Sequence, residues 1–271
     1  MAFTIELDGR RALVTGAGQG VGRAIALAIA RAGGTVLVND VVAERAGSVV
    51  EEIRSAGGAA EVAAFDVTDL AAVDRAVEAA GDVDILVNNA GNAGVESWRF
   101  TPFAETEAAD WDRYLQVNLY GVLHCTRAVL PGMIRGGYGR VVTIVSDAAR
   151  WGEPTMAVYS AAKAGAAGLS RAVAREVGRH GITVNNVALG TIDPGGEDTG
   201  PGEGESRHGW DAGPGGGDAA EHRRNALRQY IVRRPGRPDD VAGLVTLLVS
   251  PLASWITGQT IPVNGGYTVN L

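Results

Sequence analysis

The feature that most constrains this chain is a change of period that repeats along its length. Short apolar runs at 11–15, 35–40, 61–66, 85–88, 140–146, 183–188 and 260–264 are separated by stretches of helical spacing. Those stretches lie at 22–32, 43–56, 70–80, 109–134, 155–178 and 239–249. A short, continuously apolar run is the mark of a strand buried on both faces, and parallel strands are buried that way because their connecting helices cover the sheet. The expected fold is therefore α/β: one doubly wound, parallel, seven-stranded sheet of Rossmann type, with right-handed crossovers and helices on both faces. No shift in composition divides the chain, so residues 1–271 are read as one domain. The rhythm breaks at 194–217, where Gly, Pro, Asp and Glu crowd together. That segment follows the C-terminal end of a strand, where open α/β sheets bind ligands, and is read as a flexible loop acting as a lid.

Charge narrows the partners. With 24 Lys and Arg against 31 Asp and Glu, the formal charge is −7, a poor match for a phosphate backbone, so no nucleic acid partner is expected. No apolar run approaches the length of about 18 residues that a membrane span needs, and the N-terminus has no leader pattern. A cytoplasmic protein with a small-molecule substrate is the expectation. One cysteine, Cys125, excludes an internal disulfide and a Cys-rich zinc site, and no metal site is expected. Lysine occurs once, at Lys163; every other basic side chain among the 24 is arginine.

Two features point to a dinucleotide. The first run leads into Thr15-Gly16-Ala17-Gly18-Gln19-Gly20-Val21-Gly22, a strand–turn–helix in which glycines let the backbone approach a pyrophosphate and the helix offers its free N–H groups. The second run ends at Asp40, about 20 residues on, where a carboxylate can accept from ribose hydroxyls and repel a 2′-phosphate. Val41 and Gln19 stand where an arginine could have favoured the phosphate, so NAD is expected over NADP. Asp66 and Val67, closing the third run, are placed to meet the adenine.

Tyr159 and Lys163 lie four residues apart, one helical turn, on the same face. A phenol with a pKa of about 10 is a weak acid–base catalyst at neutral pH, and a neighbouring ammonium favours its ionised form. Ser146 ends the preceding strand, where its hydroxyl can hold a substrate oxygen.

With these residues, the chain resembles the short-chain dehydrogenase/reductase family over essentially its whole length. Thr15–Gly22 by motif fits the TGxxxGxG turn, Asn88-Asn89-Ala90-Gly91 the NNAG segment, and the segments around 234–241 and 256–266 the C-terminal signatures. Asn118, Ser146, Tyr159 and Lys163 fall on the family's catalytic tetrad. The resemblance implies that Tyr159 exchanges a proton with the substrate oxygen, that Ser146 holds this oxygen, and that Lys163 lowers the phenol pKa and binds the nicotinamide ribose. It implies a helix kink at Asn118, and cofactor contacts from Asn88, Ala90, Gly91 and Ile192. It also implies a homotetramer assembled through the last helix and strand, an expectation to which apolar Val241, Leu244, Val245 and Leu248 contribute.

The reading that follows is a hydride transfer between NAD(H) and a secondary alcohol or ketone. Its alternatives are an NADPH-linked ketoreductase, a cyclic hydroxyacyl-CoA dehydrogenase and a non-catalytic nucleotide-binding regulator of the same fold. Asp147, Trp151, Met156 and Trp210 are the expected substrate residues, around an apolar, aromatic pocket that Asn92 and Ala93 border. The acidic lid argues for a neutral cyclic or aryl substrate.

Overall fold

The computed structural model describes residues 4–91, 101–193 and 227–269. The chain runs β1 (Arg11–Val14), α1 (Gly20–Arg31), β2 (Thr35–Val38), α2 (Ala43–Ser55), β3 (Ala59–Val62), α3 (Leu70–Ala80) and β4 (Ile85–Asn88). It continues through α4 (Ala108–Leu115), α5 (Gly121–Gly136), β5 (Gly139–Ser146), α6 (Ala148–Trp151), α7 (Ala157–Val177), β6 (Ile182–Leu189), α8 (Pro238–Val249) and β7 (Thr260–Val263). All seven strands are parallel, in the order β3-β2-β1-β4-β5-β6-β7. The expected Rossmann sheet is present. The order reverses between β1 and β4, and a crevice opens there beyond the carboxyl ends of the strands.

Strand alternation fills both faces. Val14, Val36, Val38, Ile85 and Val87 meet Ile25 and Ile29 of α1 on one face. Leu13, Leu37, Leu86 and Val141 turn the other way, onto Val73 of α3, Val129 of α5 and Val173 of α7. Each such side chain contributes about 1.5–3 kcal/mol by leaving water. The result is a rigid floor for the loops above it.

Three expectations are corrected. The third strand, expected at 61–66, is Ala59–Val62, in register with β2. Beyond it the Asn39 amide donates to Ala63 O (2.9 Å) and Phe65 O (3.0 Å), which removes these carbonyls from any ladder. The stretch expected to be helical at 109–134 is two helices, α4 and α5, separated by a π-helical turn, Gln116–Tyr120, which lies where the resemblance implied a kink at Asn118. In α8, Val241, Val245 and Leu248 are completely buried in the chain's own core, with Leu244 packed against it, so they are not a spare assembly face.

Candidate active site

The turn after β1 is built for close approach. Gly16 and Gly20 take φ of +61° and +55°, a region open to glycine. A Cβ on Gly22 would overlap Gly16 O and stand 2.5 Å from Asn89 Nδ2. Asn89 braces the turn by donating to Thr15 O (2.9 Å) and Gly16 O (3.1 Å), while Thr15 Oγ1 accepts from Asn89 N and Ala90 N, both at 3.0 Å. Gln19 caps α1 with extended backbone but without a side-chain hydrogen bond, and α1 has no acid in its first turn. The N–H groups of Gly20, Val21 and Gly22 therefore face the crevice end of a helix dipole without a competing anion. This fits the diphosphate of a dinucleotide.

Asp40 follows β2 and is 5% exposed. Its Oδ2 accepts from Gly18 N (3.2 Å), its Oδ1 accepts from Val42 N (2.9 Å), and Arg45 Nη2 pairs with Oδ1 at 2.9 Å. Asp66 is exposed and accepts from Thr68 N and Oγ1, both at 2.8 Å. Val67 is buried, with its carbonyl 2.9 Å from His124 Nδ1. Asn88 is directed inward: its amide donates to Thr126 Oγ1 (3.1 Å) and Thr143 Oγ1 (3.4 Å), tying β4 to α5 and β5. Its neighbours line the crevice instead. A Cβ on Gly16 would stand 2.9 Å from Ala90 Cα, and one on Gly91 would stand 2.8 Å from both Asn118 Oδ1 and Lys163 Nζ. Ile192 bridges to Gly236, and Tyr230 Oη donates to Thr191 Oγ1 at 2.9 Å, so the chain leaving β6 is pinned beside the crevice.

The tetrad converges. Ser146, the last residue of β5, accepts from Ala148 N at 3.1 Å and hydrogen-bonds the Tyr159 hydroxyl. Burial raises the Tyr159 pKa, and the bond to Ser146 opposes that shift. Lys163 is 4% exposed, its Nζ donating to Ile144 O (3.0 Å) and lying 5.9 Å from the Tyr159 ring centre. Burial lowers its pKa to about 8. Asn118, completely buried, sits in the π turn and donates to Tyr114 O at 3.0 Å. The break in the helix is what carries this side chain to Gly91.

A cavity of about 380 Å³ adjoins Tyr159. Met156 lines it, as do Phe103, Trp111 and Tyr114, with Phe103 and Trp111 stacked 5.7 Å apart. Glu105, Glu107 and Asp110 ring the same space. Asp147 and Trp151, also expected at the substrate, do not line it. Asp147 is buried and turned away: Oδ1 pairs with Arg150 Nη1 (3.1 Å) and Oδ2 accepts from Asn264 Nδ2 (2.5 Å), so it ties the end of β5 to the segment after β7. Trp151, expected on a loop, ends the short helix α6 and is 60% exposed. Asn92, Ala93, Trp210 and the 194–217 segment lie outside the described residues. Among the described residues no cluster of His, Cys, Asp or Glu is placed to hold a metal.

Sequence reasoning missed Asn89, Arg45 and the aromatic–acidic wall. Asn89 had a signal, since it lies within the same motif as Asn88. Arg45 had one too, five residues past Asp40 on the helix that follows. The wall had none, because contact between 103–114 and 155–159 is set only by how α4 crosses α7.

Three comparisons bear on this geometry. Residues 10–199 match the family model described as short chain dehydrogenase. The chain is 36% identical over 272 residues to the 7alpha-hydroxysteroid dehydrogenase of Escherichia coli (strain K12), covering 97% of this chain and 95% of that protein. It is 37% identical over 268 residues to a 3-oxoacyl-[acyl-carrier-protein] reductase of Synechocystis, covering 96% and 97%. A crystal structure of a gluconate 5-dehydrogenase from Burkholderia cenocepacia J2315, in complex with NADP and tartrate, superposes with a TM-score of 0.84 at 32% identity, over 98% of each chain.

Proposed function

Because the chain belongs to the short-chain dehydrogenase family, and is an oxidoreductase of that family, we propose that it interconverts a neutral cyclic or aryl secondary alcohol and its ketone with NAD(H). The observation that carries this reading is the convergence of Ser146, Tyr159 and Lys163 beside a partly aromatic cavity. Gly16, Gln19, Gly20, Val21 and Gly22 would hold the diphosphate, Asp40 the adenosine ribose, Asp66 and Val67 the adenine, and Ala90, Gly91, Lys163 and Ile192 the nicotinamide half. When bound, the nicotinamide supplies or accepts the hydride.

The protein's own residues handle the proton. In the oxidative direction Tyr159 Oη takes the proton of the substrate hydroxyl; in the reductive direction it returns one to the carbonyl oxygen. Ser146 Oγ hydrogen-bonds the same oxygen and fixes its distance from the phenol. Burial holds Tyr159 protonated and the Ser146 bond opposes this; the Lys163 ammonium, 5.9 Å from the ring centre, would add to that opposition by favouring phenolate. An ammonium has three donors and Ile144 O takes one, which leaves capacity for ribose hydroxyls.

Glu105, Glu107 and Asp110 around the cavity disfavour carboxylate and phosphate substrates. This speaks against the CoA-ester reading. The name of the E. coli relative, a hydroxysteroid dehydrogenase, is consistent with a hydroxyl on a fused ring system. The test is a panel of cyclic, aryl, acyl-thioester and sugar-acid substrates assayed with NAD(H) and NADP(H). Highest kcat/KM on a neutral cyclic or aryl alcohol supports the proposal; highest kcat/KM on an anionic substrate refutes it.

A homotetramer is part of the same proposal. What supports it is apolar surface on the segment that leads into β7, the last strand of the sheet among the described residues: Trp255 is 97% and Leu252 53% exposed. A cytoplasmic setting belongs to the same reading, and a lone cysteine, Cys125, which can form no internal disulfide, is compatible with it.

A further inference from the structure

We propose that Asp147 and Asn264 are positioning residues for the proton step: bridged to each other over the end of β6, they fix the turn that aims the Ser146 hydroxyl. The inference rests on the function proposed above and deepens it, adding two residues that reach the reaction only through Ser146.

The strands β5, β6 and β7 end level. Ser146 of β5 is in register with Leu189 of β6, and Leu189 with Val263 of β7. One residue further on stand Asp147, Gly190 and Asn264, so the first and the last of these are separated by two strand spacings, about 10 Å. Short side chains meet over that span because Gly190 puts nothing between them: a Cβ there would stand 3.1 Å from Asn264 Cα and 3.2 Å from its Cβ. Asn264 Nδ2 donates to Asp147 Oδ2 at 2.5 Å. Each end is fixed in turn. Asp147 N donates to Leu189 O (2.9 Å), and Asp147 Oδ1 pairs with Arg150 Nη1 (3.1 Å). Asn264 Oδ1 accepts from Gly266 N (3.0 Å), and its Nδ2 also donates to Thr268 O (3.1 Å).

The bridge acts on Ser146 through one turn of backbone. Asp147 takes helical backbone angles (φ −59°, ψ −26°), and its carbonyl accepts from Arg150 N and Trp151 N, both at 2.8 Å, which starts α6. That turn presents Ala148 N to Ser146 Oγ at 3.1 Å. With a lone pair so engaged, the serine hydroxyl is left to donate, and Tyr159 is its partner. A bond donated to the phenol oxygen favours phenolate, so the Ser146–Tyr159 bond works against burial. A shift of Asp147 therefore reaches Tyr159 by way of Ala148 N and Ser146 Oγ. Asp147 and Asn264 are 3% and 9% exposed. A buried carboxylate with its partners stabilises a fold little more than an apolar pair of the same shape, so what this one adds is a fixed geometry one residue past Ser146.

The experiment compares the full-length wild type with D147N, N264A and the exchange D147N/N264D, in which carboxylate and amide trade places. Cyclohexanol, 1-phenylethanol, 3-hydroxybutyryl-CoA and gluconate serve as probes, each with NAD and with NADP, and every variant is assayed on the pair that the wild type turns over fastest. D147N and N264A should each lower kcat by about tenfold or more. Affinity for the reduced cofactor, read by fluorescence titration, should stay within about twofold of wild type. The midpoint of the rise of kcat/KM with pH should move up by about half a unit or more, since Tyr159 loses part of the bond that favours phenolate. The exchange variant should recover most of kcat and return the midpoint toward wild type. N264A reads the bridge from its far side should D147N not fold. Single variants that lose thermal stability while kcat and the midpoint hold, or an exchange variant no better than D147N, would overturn the proposal and leave the proposed function standing. A wild type that oxidises only gluconate or the CoA ester overturns the neutral-substrate reading while the variants still decide this proposal; one that oxidises none of the probes overturns both.

Discussion

Replacing Lys163 by Met should make the protein more stable and inactive at once. The side chain is 4% exposed, and burial moves its pKa from 10.5 to about 8. At about 1.4 kcal/mol per pH unit, that displacement means the folded state gives up about 3 kcal/mol by keeping the ammonium charged. Methionine has nearly the same shape and no charge. Against the gain stands the Nζ bond to Ile144 O, whose loss leaves a buried carbonyl and costs about 1–2 kcal/mol. The net is a stabilisation of about 1–2 kcal/mol, or a rise in Tm of about 2–6 °C for a domain of this size. The pH dependence has a definite sign. Because the folded pKa lies below the unfolded one, the penalty in the wild type is complete below about pH 8, shrinks as pH rises toward 10.5, and is gone above it. The advantage of K163M in cofactor-free thermal unfolding should therefore be largest at pH 7, reach zero between about pH 9 and 10, where the penalty has fallen to the cost of the lost bond, and reverse above that. Equal or lower stability of K163M at pH 7, or an advantage that does not change with pH, would refute the reasoning.

Three further outcomes follow from the same geometry. Y159F should lower kcat by about 10²–10⁴-fold, since the proton at Oη has no other donor in place, while cofactor affinity measured by fluorescence titration stays close to wild type. G22A should weaken cofactor binding and lower stability by about 1–3 kcal/mol in urea unfolding, because the added methyl meets the backbone of Gly16 and the Asn89 amide that braces the turn. W255E should reduce the mass seen by light scattering from tetramer to a smaller species, and an unchanged mass would remove Trp255 from the interface.

The fold, and the nearness of Tyr159 to Lys163, were legible in the sequence for a shared physical reason: both are fixed by local pattern. A continuous apolar run must be buried, so the strands and their alternation with helices could be read without knowing which strand pairs with which. Tyr159 and Lys163 sit one turn apart on one helix, and helical geometry alone joins them. What failed depended on contacts between distant segments. The third strand ends early because Asn39, on a neighbouring strand end, takes the carbonyls of Ala63 and Phe65. Asp147 was expected at the substrate because it follows Ser146, yet Asn264 and Arg150 hold it away. The apolar face of α8 was legible as a face but not as an inward one, since α1 covers it from the far end of the sequence. Arg45 could have been read from its place five residues past Asp40, at the start of the following helix, but only the fold shows that the two pair.

The most direct test of the central claim follows a hydride. The wild-type protein is incubated with NAD and a cyclic secondary alcohol carrying deuterium at its carbinol carbon, and the reduced cofactor is weighed by mass spectrometry. The account predicts one deuterium in the reduced nicotinamide and a ketone product. A ketone formed with no deuterium in the cofactor would contradict it, as would the absence of reduced cofactor with every secondary alcohol in the panel.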